Sequence, residues 1–212
     1  KYYGTPPNGY SYYPGGAGSE VFEESILDIY ACISFLVENG FSEVILVGHS
    51  TGANKACFFA ATQNNSHVIG VLLSGPMSDR LGVPNTEEQI IAMKQKIKEG
   101  KGNELLLGYH FFPITPKRFI SLFEPGSNED TFDYGDEKPK MNYFSKIQLP
   151  LMVLLAGNDE HRDRPIEDIQ RVFDAHATSK LYKSIIIPGA VHKFHEKEKE
   201  VASAIIAWAN VL

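Results

Sequence analysis

Apolar residues recur at two different periods along the chain, and the two periods alternate. Between Phe22 and Val37 they recur mostly at steps of three and four, which predicts an amphipathic helix that ends at Gly40. The continuous apolar run Val44–Val47 follows, and such a run between helices is typical of a buried parallel strand. The pattern therefore predicts a helix and then a buried strand.

The same alternation continues on both sides of a long middle section. Further strands are predicted at three places: 68–73, 151–155 and 181–187. Further helices are predicted at about 52–64, 165–176 and 196–211. Buried strands that alternate with helices predict an α/β fold, in which a mostly parallel sheet is wrapped by helices on both faces.

The middle section, residues 76–148, lacks a strong strand pattern. A capping box at Thr86 opens a helix that extends to about Lys98, and Thr115-Pro116 opens another helix with proline at its first position. We expect a cap-like insertion of helices and loops over one end of the sheet, within a single domain of residues 1–212. Residues 1–18 are rich in Tyr, Gly and Pro and are predicted to be loop.

Composition indicates a globular protein and argues against some partners. The hydrophobic share is 43%, the charged share is 22%, and the net charge is −6. Nucleic acid and anionic membranes attract basic surfaces, so neither is expected as a partner. No apolar run approaches the ~20 residues of a membrane span, and the first residues lack a signal-peptide pattern. Cys32 and Cys57 are predicted to be buried free thiols, which favours a cytoplasmic location.

A candidate nucleophile follows the first strand. The strand runs into Gly48-His49-Ser50-Thr51-Gly52, a G-x-S-x-G motif between a strand and a helix. This motif is typical of the α/β-hydrolase fold, where a sharp turn points the serine hydroxyl out of the sheet. We expect both glycines to be required by close approach of the chain, the N–H of Thr51 to bind an oxyanion, and His49 to serve only in packing.

The acid and the base of a catalytic triad are predicted at the ends of later strands. In this fold the chain order is serine, acid, histidine. Asp159 follows the strand at 151–155, and His192 follows the last strand. Glu160 and Asp163 compete with Asp159 for the role of the acid, and His195 competes with His192 for that of the base.

Ester hydrolysis is the leading functional hypothesis. Ser50 would attack the acyl carbon of a small-molecule ester, His192 would carry protons, and Asp159 would orient His192. No metal is expected, because the spacing of His161, His192 and His195 fits no zinc pattern, and no cofactor is expected. Two alternatives stay open: acyl transfer or amide cleavage by the same triad, and a non-catalytic hydrolase-like binding module.

The chain resembles the α/β-hydrolases related to fungal fusarinine C esterase, which are siderophore-releasing hydrolases. The matching stretches are Gly48–Asn54, Ser78-Asp79-Arg80, Pro113–Leu122 and Gly157-Asn158-Asp159-Glu160. The resemblance covers most of the chain from about Gly15 onward. It implies a serine esterase that acts on a hydroxamate siderophore or a similar acyl compound, with Ser50, Asp159 and His192 as the triad.

One feature departs from that family. Only 49 residues precede Ser50, and no strand is predicted among the first 18. Such hydrolases have several strands before the nucleophile, and a loop among them supplies a second oxyanion N–H. The chain is therefore predicted to lack the N-terminal part of the fold and to keep about four strands.

The middle section is rich in aromatic residues. They could line an acyl pocket, but we expect most of them to form the core of a small cap. They are Phe111, Phe112, Phe119, Phe123, Phe132, Tyr134, Tyr143 and Phe144. Arg80 and Arg118 could meet an anionic substrate, but we expect them to form surface ion pairs.

Overall fold

A computed structural model describes residues 16–81 and 86–212. Residues 1–15 of the predicted N-terminal loop lie outside the described residues. The remaining three, Gly16–Gly18, form a short 3-10 helix. The chain divides into two compact units. One takes its described residues from 1–24 and 82–130, and the other consists of residues 25–81 and 131–212. The single domain of residues 1–212 stays a prediction.

The larger unit contains a parallel sheet of four strands. The strands lie side by side in chain order: β1 (Val44–His49), β2 (Val68–Ser74), β3 (Leu151–Ala156) and β4 (Tyr182–Ile187). Every neighbouring pair is parallel. The carboxyl ends of all four strands therefore lie at one edge, where ligands bind in sheets of this kind.

Helices cover both faces of this sheet. Four belong to the larger unit: α1 (Ser25–Glu38), α2 (Thr51–Thr62), α5 (Ile166–His176) and α6 (Glu198–Ala209). Apolar residues of α1, α2 and α5 share a core cluster with Val71 and Val153. Trp208 of α6 shares the opposite cluster with Leu72 and Met152. Successive strand residues point to opposite faces, so a fully apolar strand such as β3 is buried on both sides.

The described part of the smaller unit contains two α-helices, two short 3-10 helices and one isolated bridge. The two α-helices are α3 (Thr86–Lys98) and α4 (Pro116–Phe123), and the antiparallel bridge joins Leu106 to Ile114. The side chain of Thr115 accepts a hydrogen bond from the N–H of Arg118, which caps α4 as the sequence predicts. A third apolar cluster here joins Met93, Ile114 and Phe119.

Arg118 differs from the prediction of a surface ion pair. Only 3% of its side chain is exposed, and its guanidinium pairs with Glu129, which is 1% exposed, and with Glu20. The N–H group at Nε also donates to the carbonyl of Ala17, so the buried guanidinium has polar partners at Nε as well as at its terminal nitrogens. Arg80 pairs with the more exposed Asp136, as expected.

The predicted insertion is divided between the two units. Residues 82–130 belong to the smaller unit, whereas 131–148 belong to the unit that contains the sheet. Phe132 and Phe144 are fully buried against Phe173 of α5, so they form part of the main core. Phe119 and Phe123 lie in the core of the smaller unit, and Phe111 is 91% exposed.

The two cysteines are free but not equally buried. Cys57 lies in the core on α2, whereas Cys32 is exposed on α1. The prediction that Cys32 is buried is therefore wrong. Position 32 lies on the side of α1 that borders a groove along the edge strand β1, and described residues do not cover this groove. No helix among residues 16–81 and 86–212 is both long and apolar enough to cross a membrane.

Candidate active site

Ser50 lies at a strained turn between β1 and α2. Its backbone has φ 55° and ψ −128°, a conformation that residues with a side chain rarely adopt. The N–H of Ser50 donates to the carbonyl of Ser74 at 2.9 Å, and its carbonyl accepts from the N–H of Ala53 at 2.8 Å. These bonds fix the turn to the end of β2 and to the first turn of α2.

The two glycines of the motif are not equivalent. A Cβ on Gly48 would lie 2.2 Å from the carbonyl oxygen of Gly52, so no other residue fits there. A Cβ on Gly52 would have no neighbouring atom within 4 Å. The expectation that both glycines are required sterically is therefore correct for Gly48 and wrong for Gly52, whose side-chain direction points into open space.

The structure brings Ser50, His192 and Asp159 together, although they are far apart in the sequence. His192 Nε2 lies 2.9 Å from Ser50 Oγ, and His192 Nδ1 lies 2.8 Å from Asp159 Oδ2. A carboxylate only accepts, so Nδ1 carries a proton and donates it to Asp159. In the neutral imidazole Nε2 is then free to accept the hydroxyl proton of Ser50.

Asp159 is held in its ionised form by two donors. Its burial raises its pKa, but the hydrogen bonds from the His192 ring and the N–H of His161 outweigh burial and bring the pKa of Asp159 below its usual value. The carboxylate is consequently charged at neutral pH and can stabilise a protonated His192.

Thr51 occupies the position predicted for an oxyanion donor. It is the first residue of α2, and the N–H groups of a first turn have no acceptor within the helix. The positive end of the helix dipole lies at the same place. This geometry is compatible with the predicted role of the Thr51 N–H group.

The competing candidates have other partners. Glu160 accepts from the backbone N–H of His192 rather than from its ring, and Asp163 pairs with Arg164. His195 is exposed and lies 3.7 Å from Glu198. Among these acids and histidines, only the side chain of His192 bonds to Ser50, and only the side chain of Asp159 bonds to the His192 ring.

Three further side chains approach the site, and the sequence did not assign them to it. Met77 Sδ lies 3.8 Å from Ser50 Oγ, and the His161 ring meets the His192 ring at a centroid distance of 4.8 Å. His49 Nε2 lies 2.9 Å from the carbonyl oxygen of His192, so His49 does more than pack. The only sequence signal that His49 lies near the site was its position next to Ser50. The only such signal for Met77 was its position in the loop after β2.

No group of three or more histidine, cysteine or acidic side chains arranged to hold a metal ion occurs in the part of the chain that the structure describes. His161 and His192 do lie together, but His195 pairs elsewhere.

Lipases and esterases are among the solved structures with the same architecture. Monoacylglycerol lipase from Paleococcus ferrophilus is similar with a TM-score of 0.63 and 18% identity, over 94% of this chain and 81% of the lipase. A soluble variant of Saccharomyces cerevisiae monoglyceride lipase gives 0.61 and 16%, over 90% and 68%. A thermostable carboxyl esterase from Bacillus coagulans gives 0.56 and 18%, over 87% and 70%.

These similarities and the parallel sheet show that the chain has the α/β-hydrolase fold, as the sequence predicted. A family model described as a protein of unknown function, DUF1749, matches residues 9–209, and the chain belongs to that family. No curated protein matches the sequence. The narrower resemblance to fusarinine C esterase stays a prediction.

Proposed function

We propose that the protein is a serine hydrolase that cleaves carboxylic esters. The observation that carries this proposal is the continuous hydrogen-bonded chain from Ser50 Oγ through the His192 ring to Asp159. A serine hydroxyl is a weak nucleophile until a neighbouring base takes its proton, and this arrangement supplies the base and its orienting partner.

The proposed reaction proceeds through an acyl-enzyme. Ser50 Oγ bonds to the acyl carbon while its proton passes to His192 Nε2, and the N–H of Thr51 stabilises the oxyanion. The proton on Nε2 then passes to the oxygen of the leaving alcohol as the ester bond breaks. Water attacks the acyl-enzyme with His192 again as the base, which releases the acid and restores Ser50.

The substrate class is supported at two levels. Lipases and esterases among the structures of the same fold favour a carboxylic ester. The sequence resemblance to siderophore esterases favours an acyl compound such as a hydroxamate siderophore ester within that class. We treat the ester as the primary proposal and the siderophore as its first specific candidate.

Ester turnover by a serine variant tests the proposal. Hydrolysis of p-nitrophenyl acetate and butyrate is measured for the wild type and for Ser50→Ala. Loss of the nucleophile is expected to lower kcat by about 10⁶-fold, to a residual rate that still exceeds the uncatalysed reaction. Turnover that is unchanged in Ser50→Ala would refute the proposal, and turnover of amides or transfer to an added alcohol acceptor would redirect it to the amidase or acyltransferase alternative.

A further inference from the structure

The main chain of His192 is held on both sides by side chains. Its N–H donates to Glu160 Oε2 at 2.8 Å, and its carbonyl oxygen accepts from His49 Nε2 at 2.9 Å. Because a carbonyl only accepts, the Nε2 atom of His49 carries the proton. Both polar groups of this residue's backbone are therefore bonded to side chains from elsewhere in the chain.

These two side chains are next to the other members of the site in the sequence. His49 immediately precedes Ser50, and Glu160 immediately follows Asp159. In each of these two adjacent pairs, one side chain bonds to the ring of His192 and its neighbour in the sequence bonds to the backbone of His192.

We propose that Glu160 and His49 are positioning residues that fix the backbone of His192, and through it the reach of its ring to Ser50. This inference rests on the proposed hydrolase function, and it assigns a role to two residues outside the triad. Neither residue touches the reacting atoms.

The segment that carries His192 needs such support. It connects β4 to α6 through ten residues without helix or strand, and both Phe194 and Glu196 have positive φ. Ala190 and Phe194 on either side are buried in the core, whereas the backbone N–H and carbonyl groups of His192 itself bond to Glu160 and His49. A shift of about 1 Å between reacting groups can cost about 100-fold in rate.

Further contacts support the same arrangement. The His49 ring packs against the rings of His192 and Phe194 at centroid distances of 5.1 and 6.2 Å. The N–H donated by His192 is the main reason that the pKa of Glu160 lies below its usual value, so Glu160 is ionised at neutral pH. An ionised acceptor makes a stronger hydrogen bond than a neutral one.

Both side chains can be removed without disturbing the core. Glu160 and His49 are exposed, and neither belongs to an apolar cluster. Glu160→Ala and His49→Ala are therefore expected to fold, which circular dichroism and the melting temperature check.

The test is the second-order rate at which a fluorophosphonate labels Ser50. We expect about a 10-fold decrease for Glu160→Ala and for His49→Ala, and about 100-fold for the double variant. Glu160→Gln should recover most of the wild-type rate, since an amide oxygen also accepts the N–H. Glu167→Ala, at an exposed acid on α5, is the matched control and should label at the wild-type rate. In ester turnover the loss should appear in kcat, with KM nearly unchanged.

Two results would overturn the inference while the proposed function stands. One is labelling of both alanine variants at the wild-type rate, and the other is Glu160→Gln as slow as Glu160→Ala. A crystal structure of the double variant gives a measurement that needs no activity: the distance from His192 Nε2 to Ser50 Oγ should exceed hydrogen-bonding range, and an unchanged distance would also overturn it. A wild type whose Ser50 is not labelled contradicts the hydrolase function itself.

Discussion

The tautomer of His192 decides what Ser50 can do. Asp159 accepts a hydrogen bond from the N–H at Nδ1, and this leaves Nε2 without a proton where it faces the serine hydroxyl. An amide at position 159 could instead donate to Nδ1, which would place the ring proton on Nε2 and block it.

Asp159→Asn is therefore expected to lower kcat for ester hydrolysis by about 10⁴-fold with little change in fold. Asp163→Asn is the matched control from the same loop, because Asp163 pairs with Arg164 and not with His192. Steady-state kinetics on p-nitrophenyl butyrate measure both variants. Equal activities for the two variants would contradict the assignment of Asp159.

The lowered pKa of Asp159 also predicts how stability depends on pH. The unfolded chain binds this proton at higher pH than the native state, so ionised Asp159 stabilises the native state above the unfolded-chain pKa. This stabilisation is lost as the pH falls through the lower native pKa.

Urea unfolding of the wild type and Asp159→Asn from about pH 7 to about pH 3 measures this dependence. The difference in the free energy of unfolding between the wild type and Asp159→Asn should become smaller toward acid pH. A difference that is constant across the range would show that Asp159 has the same pKa in both states.

Individual site residues were predictable from the sequence to different degrees. The motif around Ser50 and the order serine, acid, histidine led to the three residues that the structure brings together. Asp159 and Glu160 are adjacent carboxylates. Only the fold shows that Asp159 bonds to the His192 ring and Glu160 to the His192 backbone. The bond from His49 to His192 joins distant parts of the chain, so no local pattern could predict it.

At the scale of elements, the turn between β1 and α2 depends on one glycine of the motif. Gly48 packs against the backbone of Gly52, whereas Gly52 itself faces open space. Gly48→Ala is expected to destabilise the protein by about 1–3 kcal/mol or more through this clash. Gly52→Ala should be neutral or stabilising by up to about 1 kcal/mol, because alanine favours a helix.

Denaturant unfolding of the two glycine variants gives this comparison directly, and the rate of fluorophosphonate labelling reports whether the turn still presents Ser50. Equal loss of stability in both variants would contradict the close approach seen only at Gly48.

The helices and strands were largely predictable because hydrophobic period and caps are local signals. The helix at Thr86–Lys98 matches its predicted bounds, and the strands differ by one or two residues. The packing of residues 131–148 was not predictable, since an aromatic residue fits a small cap or the main core equally well. The structure places Phe132 and Phe144 in the main core.

At the scale of the whole molecule, the two thiols report separately on the surface and the core. Burial raises the pKa of the Cys57 thiol, so Cys57 is protonated and inaccessible in the native state. Cys32 is exposed. Iodoacetamide should therefore alkylate only Cys32 under native conditions and both cysteines in denaturant, as peptide mass spectrometry measures. Native alkylation of Cys57 at the rate of Cys32 would contradict the packing of α2.

Burial across the molecule was less predictable than the fold class. An apolar helix pattern suggested that Cys32 is covered, but burial depends on which neighbours pack against each side of α1. The partner of Arg118 lies eleven residues away in the loop after α4, where no pattern marks Glu129 as buried. Long-range packing determines both features, and it leaves no periodic signal in the sequence.

Peptide mapping after reaction with a fluorophosphonate tests the central claim most directly. The account predicts a covalent adduct on Ser50 in the wild type and none in His192→Ala, since the imidazole must take the hydroxyl proton for Oγ to attack. An adduct on another residue, or equal labelling of Ser50 when His192 is replaced, would contradict it.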